Sequence, residues 1–150
     1  MRKKTYTIFA AVHLGSEAIS MLIVEYRSLN NYKILEQCQH YIHLGEETFK
    51  NKLIPFSLVN EICEVLQGYK ELMRSYGVEE YAIKATTAVR EARNQIFLLD
   101  QIKIKTGFNV DVVDMPQEIY TKFVAIRNTL NVQEPKAAQE GMLLMDISSG

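Results

Sequence analysis

From Thr5 to Leu14 the chain is rich in β-branched and aromatic residues, and Ile8, Ala10 and Val12 alternate with Phe9 and Ala11, so both faces are apolar. Such a strand belongs in the middle of a sheet covered on both sides. Gly15-Ser16-Glu17 supplies a turn, and Ser20 to Tyr26 returns as a second strand. A further turn from Arg27 to Tyr32, carrying Asn30-Asn31, leads into a third strand from Lys33 to Ile42. Two hairpins in succession make a meander, and the rest of the chain has to cover the sheet that it starts.

After Gly45 the pattern changes. Ser57 can cap a helix in which Leu58, Ile62, Val65, Tyr69, Leu72 and Tyr76 recur at spacings of three and four, and Gly77 stops it. Tyr81 to Thr86 reads as a short strand. Gln95 to Thr106 reads as a helix with apolar Ile96, Leu99 and Ile102, ended by Gly107. Val110 to Val113 is another strand, followed by Asp114 as a cap and Pro116 near the start of a helix. That helix has one apolar stripe: Ile119, Phe123, Ile126 and Leu130. Residues 131–140 are polar, include Pro135 and read as a connecting loop, after which Gly141 to Ile147 begins a buried strand. The order β-β-β-α-β-α-β-α predicts an α/β fold: a mixed five-stranded sheet with helices placed on both faces by right-handed crossovers.

The 150 residues carry a formal net charge of −1, which gives no electrostatic footprint for nucleic acid or an anionic membrane. The apolar runs are too short to span a bilayer, and the Met-Arg-Lys-Lys start leads into alternation, not a secretory segment. A cytoplasmic protein is expected. Cys38 falls in a predicted strand and Cys63 in a predicted helix, without metal-ligand spacing, so neither a disulfide nor a zinc site is expected.

Several segments, in order, resemble the exopolyphosphatase/guanosine pentaphosphate phosphatase family. Ala11-Val12-His13-Leu14-Gly15-Ser16 is similar to its first phosphate loop, usually Ala-Ile-Asp-Leu-Gly-Ser, and Ile42-His43-Leu44-Gly45-Glu46 to the end of its third strand. Ala85-Thr86-Thr87-Ala88-Val89-Arg90-Glu91-Ala92-Arg93-Asn94 matches its Ala-Thr-Ser-Ala-Leu-Arg-Glu-Ala-Arg-Asn segment most closely. Val110-Asp111-Val112-Val113 through Gln117-Glu118 resembles the stretch carrying its catalytic glutamate. Leu144-Met145-Asp146-Ile147-Ser148-Ser149-Gly150 resembles the opening of its second phosphate loop, usually Asp-Ile-Gly-Gly-Gly-Ser. The resemblance implies a ribonuclease H-like domain of the actin-like ATPase superfamily over residues 1–130, a connecting loop at 131–140, and the start of a second domain at 141–150.

It also implies a set of site residues. Glu118 stands where the family's glutamate activates the attacking water, and the first turn of a helix keeps a carboxylate ionised there. Gly15 and Ser16 would hold phosphate through backbone N–H groups and a hydroxyl, although the segment alone reads more readily as a hairpin turn. Arg90 would clamp phosphate oxygens, with a surface salt bridge as the plain alternative; Arg93 reads as structural. Ser148, Ser149 and Gly150 fall in the second phosphate loop, and Asp146 on a metal or water ligand. Two departures stand out. His13 replaces an aspartate suited to magnesium, the family's metal, and imidazole is a poor ligand for that hard cation; Ser148 and Ser149 put Cβ atoms where the family has glycines.

Two functions are compatible with these residues. One is hydrolysis of terminal phosphate from polyphosphate or guanosine pentaphosphate. The other is a catalytically impaired relative that binds a phosphate or nucleotide ligand as a regulatory module, alone or as a homodimer. A sugar kinase or actin-like ATPase would leave the Arg90 segment unexplained. Because a cleft needs an opposite wall, the 150-residue chain by itself is expected to be inactive.

Overall fold

The computed structural model describes residues 6–28 and 31–129; the loop expected at 131–140, the strand expected from Gly141, and Asp146, Ser148, Ser149 and Gly150 lie outside the described residues. Three strands open the chain: β1 (Thr7–Leu14), β2 (Ala18–Ser28) and β3 (Asn31–Tyr41). They form the expected antiparallel meander. After it come α1 (Leu44–Asn51), α2 (Phe56–Tyr76), β4 (Glu80–Ala85), the short α3 (Thr87–Arg90), α4 (Gln95–Thr106), β5 (Asp111–Val112) and α5 (Met115–Thr129). The sheet runs β3-β2-β1-β4-β5, with β4 parallel to β1 and β5 parallel to β4. This is the mixed five-stranded sheet of a ribonuclease H-like domain.

Alternation along β1 and β2 decides where the core sits. Ala10, Val12 and Leu14 point to one face together with Ile19, Met21 and Ile23, and all six are buried. Ile62 and Leu66 of α2 and Leu98 and Ile102 of α4 pack with them in a single apolar cluster. Tyr69 joins it by donating its hydroxyl to the Ile19 carbonyl at 2.8 Å, so the one polar atom of a buried ring has a partner.

α5 stands over the other face, so helices flank both faces of the sheet as expected, but this side is less closely packed. Ala11 and His13 are exposed among the described residues, and this side of the sheet looks across a cavity toward α5. The meander put His13 there: residues of even number on β1 face the core, so the odd ones turn away.

Other local differences have plain causes. α2 begins at Phe56, with Pro55 as its extended N-cap residue (ψ 149°), and Ser57 lies inside the first turn instead of capping it. The buried positions of α2 include Ile62 and Tyr69 as expected but also Val59, Cys63, Leu66 and Met73, since neighbours on both sides broaden the contact stripe. On α4 the expected stripe is rotated: Leu98, Ile102 and Thr106 are buried and Ile96 is 74% exposed. α1 was not expected, since its apolar face is only eight residues long. Gly77 and Gly107 end α2 and α4 in the left-handed conformation, φ 66° and 76°, which costs a glycine little. Cys38 and Cys63 are free thiols. No helix among the described residues is long and apolar enough to cross a membrane.

Candidate functional site

The parallel strands β1, β4 and β5 end on the same side, and that end of an open α/β sheet is where crevices form. Thr86, just past β4, donates its N–H to the Leu14 carbonyl at 3.2 Å and so ties the two strand ends together. Its own carbonyl accepts from Val89 and Arg90. Buried Ala88 and Val89 anchor this short turn of helix and fix the direction in which Arg90 leaves it.

Arg90 is engaged on three sides by protein groups. Its Nη1 donates to the Val113 carbonyl at 2.9 Å and to Glu118 Oε2 at 3.0 Å, and Nη2 donates to Thr87 Oγ1 at 3.1 Å. The guanidinium expected to clamp phosphate thus holds a carboxylate, a carbonyl and a hydroxyl of the protein. Glu118 reaches this point because α5 starts with a reciprocal cap. Asp114 Oδ1 accepts the Gln117 N–H at 2.8 Å while Gln117 Oε1 accepts the Asp114 N–H at 3.3 Å. Glu118 therefore lies in the first turn, where the helix N-terminus favours its charge.

The second carboxylate oxygen is taken as well. Lys122, one turn on, lies 3.1 Å from Glu118 Oε1. Burial alone would raise the pKa of Glu118, but hydrogen bonds from Arg90 and Lys122 outweigh it, and the group is held below the ordinary carboxylate range. The Arg90 and Glu118 side chains are 18% and 13% exposed, so solvent screens their pairing little.

His13 faces the same cavity from β1. Its Nε2 lies 3.1 Å from Thr86 Oγ1, and the ring is packed against the turn. A Cβ added at Gly15 would come within 2.9 Å of His13 Cε1. Glycine is needed at 15 for that reason, not for a left-handed backbone. The Gly15 N–H is directed at the Ala18 carbonyl (2.9 Å) and closes the hairpin. The Ser16 carbonyl accepts the Gly45 N–H at 2.7 Å, and a Cβ at Gly45 would fall 2.7 Å from Ser16 Cβ. Gly15 and Ser16 thus sit at a packed turn beside α1, outside the cavity lining. Desolvation lowers the proton affinity of His13; Glu118 raises it and Lys122 lowers it by smaller amounts.

The cavity between the sheet and α5 has a volume of ≈ 790 Å³, within the range of ligand pockets. His13, Lys84, Thr86, Glu118 and Lys122 supply polar groups to its wall, with apolar residues such as Leu22 on the rest. Lys84 is paired with Asp111 on the neighbouring strand. Lys84, Thr86 and Lys122 were not singled out in the sequence. Lys122 carries a local signal, four residues after Glu118 on one helix, whereas Lys84 depends on the strand register that sets it beside His13. Arg93 is structural in its backbone: its N–H donates to the Lys52 carbonyl.

The donors that the described residues offer do not fit magnesium. Both Glu118 oxygens already accept hydrogen bonds from cations, His13 offers imidazole, and no cluster of three His, Cys, Asp or Glu side chains forms among the described residues. Asp146 lies outside them.

Acid should weaken the fold in two stages. His13 has its affinity for protons lowered from 6.5 and Glu118 from 4.5, so both bind fewer protons folded than unfolded. The contribution of His13 is present above pH ~6.5 and lost as pH falls below it, and that of Glu118 is present above pH ~4.5 and lost as pH falls further. Urea midpoints measured from pH 8 to pH 3 should decline in that order, and Glu118→Gln should remove the second decline.

A ribonuclease H-like sheet with an ionised, cation-held carboxylate at the ends of its parallel strands is the class of domain that fold and site define. The sequence profile of the Ppx/GppA phosphatase family matches residues 22–141, and the chain belongs to that family. The Aquifex aeolicus Ppx/GppA family member is 25% identical with a TM-score of 0.70, over 75% of this chain and 37% of that one. An exopolyphosphatase from Cytophaga hutchinsonii, 19% identical with a TM-score of 0.67, shares the fold over 72% of this chain and 34% of its own. The chain thus spans about a third of the length of these structures. No curated protein matches it.

Proposed function

We propose that residues 1–130 form one wall of a cleft in which a phosphoanhydride, polyphosphate or guanosine pentaphosphate, loses its terminal phosphate to water in the cytoplasm. The observation that carries this reading is Glu118, ionised and held by Arg90 and Lys122 at the edge of a cavity of ≈ 790 Å³. Lys122 and Lys84 line that cavity and would meet phosphate oxygens first. A remaining lone pair on the Glu118 carboxylate can accept a hydrogen from the attacking water and aim it at phosphorus. Arg90 keeps the carboxylate in place throughout, as a positioning residue. Gly15 and Ser16 support the wall by packing His13 and α1 against it.

A second reading is favoured by one specific observation: His13 covers Gly15 where the family pattern has an aspartate and an open loop. In it, the protein binds a phosphate or nucleotide ligand without turnover and acts as a regulatory module, alone or as a homodimer. The experiment is phosphate release by the full-length protein from polyphosphate and from guanosine pentaphosphate, with magnesium and with chelator, beside calorimetry with each ligand. Release from either substrate is the expected result. Binding heat with no release would favour the second reading, and neither heat nor release would overturn both.

A further inference from the structure

We propose that His13 is the final acceptor of the attacking water's proton, an inference that rests on the hydrolase reading. Two facts of geometry lead to it. Glu118 is poorly placed to keep a proton, because Arg90 donates to one of its oxygens and Lys122 to the other, and a carboxylate so stabilised is a weak base. His13 lines the same cavity from the opposite wall, and its ring is fixed by Thr86 on one side and by the Gly15 turn on the other.

The ring carries the chemistry that Glu118 lacks. Nε2 lies 3.1 Å from Thr86 Oγ1, and in the tautomer whose Nε2–H donates there, Nδ1 carries the lone pair that takes the proton. Desolvation keeps the ring neutral at physiological pH. The groups facing it are Glu118 and Lys122 from α5, Thr86 beyond β4, and Ser20 and Lys84 opposite it on β2 and β4, the last tied to Asp111 of β5. Lys122 disfavours an imidazolium, while Glu118 favours one. Binding of an anionic phosphate chain would tip that balance toward the imidazolium, at the moment a proton has to be taken.

In the step itself the water oxygen forms a bond to the terminal phosphorus, and the bridging P–O bond breaks with its electron pair going to the shortened phosphate chain. The water proton passes to the imidazole and is later lost to solvent. Glu118 holds the water, and His13 takes its proton. This gives the histidine in place of the family's aspartate a positive role.

The test uses full-length protein, polyphosphate and guanosine pentaphosphate as probes, and the pH dependence of phosphate release. His13→Asn should lower kcat by about 10²- to 10⁴-fold, the range of one general base, with KM little changed and the acid limb of the wild-type profile gone. Added imidazole should restore part of the loss. His13→Asp keeps an acceptor and should stay active with its acid limb moved to lower pH. His13→Asn with wild-type kcat and an unchanged acid limb would overturn the inference while leaving the hydrolase reading intact, as would an acid-labile, base-stable phosphoryl group on His13, which would make it a nucleophile. No release by wild-type protein from either substrate would overturn the hydrolase reading, and this inference with it.

Discussion

Arg90→Met in the full-length protein is expected to lower phosphate release by about 10²-fold or more, and to cost about 1–3 kcal/mol of stability, the range for leaving partly buried polar groups without their partner. The apolar stem is kept and the guanidinium is lost. Glu118, 13% exposed, would then have Lys122 as its one remaining cationic partner at hydrogen-bond distance among the described residues. The Val113 carbonyl and Thr87 hydroxyl would lose their donors in the same stroke. A loss of activity with an unchanged urea midpoint would place Arg90 on the substrate instead of behind Glu118. A loss of both is the result expected of a positioning residue. Arg90→Lys should recover some stability but little activity, because an ammonium cannot reproduce three directed contacts from one plane.

How much of this was legible in the sequence depends on the range over which each feature is decided. The meander followed from alternation in β1 to β3, and the ends of α2 and α4 from Gly77 and Gly107, because both signals are local. α1 lies outside the expectation because its apolar face spans only eight residues, with Leu44 and Phe49 its two large apolar side chains, too short a run to show a period. Ile96 was expected to be core, but the neighbours that choose the buried side of α4 lie in α2, and they selected Leu98 instead. Asp114 was correctly read as a cap, since its partner Gln117 is three residues away.

The site divides in the same way. Glu118 and Arg90 were picked out by segments that match a family, but their contact with each other joins residues 28 apart in sequence and could not be read from either segment. The Gly15 N–H, expected at phosphate, donates to the Ala18 carbonyl and closes the hairpin. The reason for a glycine there is the ring of His13, a contact visible only once the turn is built. Replacing an aspartate by histidine is a change of one residue that sequence alone reads as loss, whereas the cavity gives the imidazole a place and a partner in Thr86.

Phosphate release by Glu118→Gln, assayed in the full-length protein beside wild type, is the most direct test of the central claim. The amide keeps the shape and can still accept from Arg90 with its oxygen, but it carries no charge and offers Lys122 and the attacking water a donor where an acceptor stood. Release should fall by about 10²-fold or more, with substrate affinity and far-ultraviolet circular dichroism preserved. Release at the wild-type rate would contradict the claim that this carboxylate directs the attack of water.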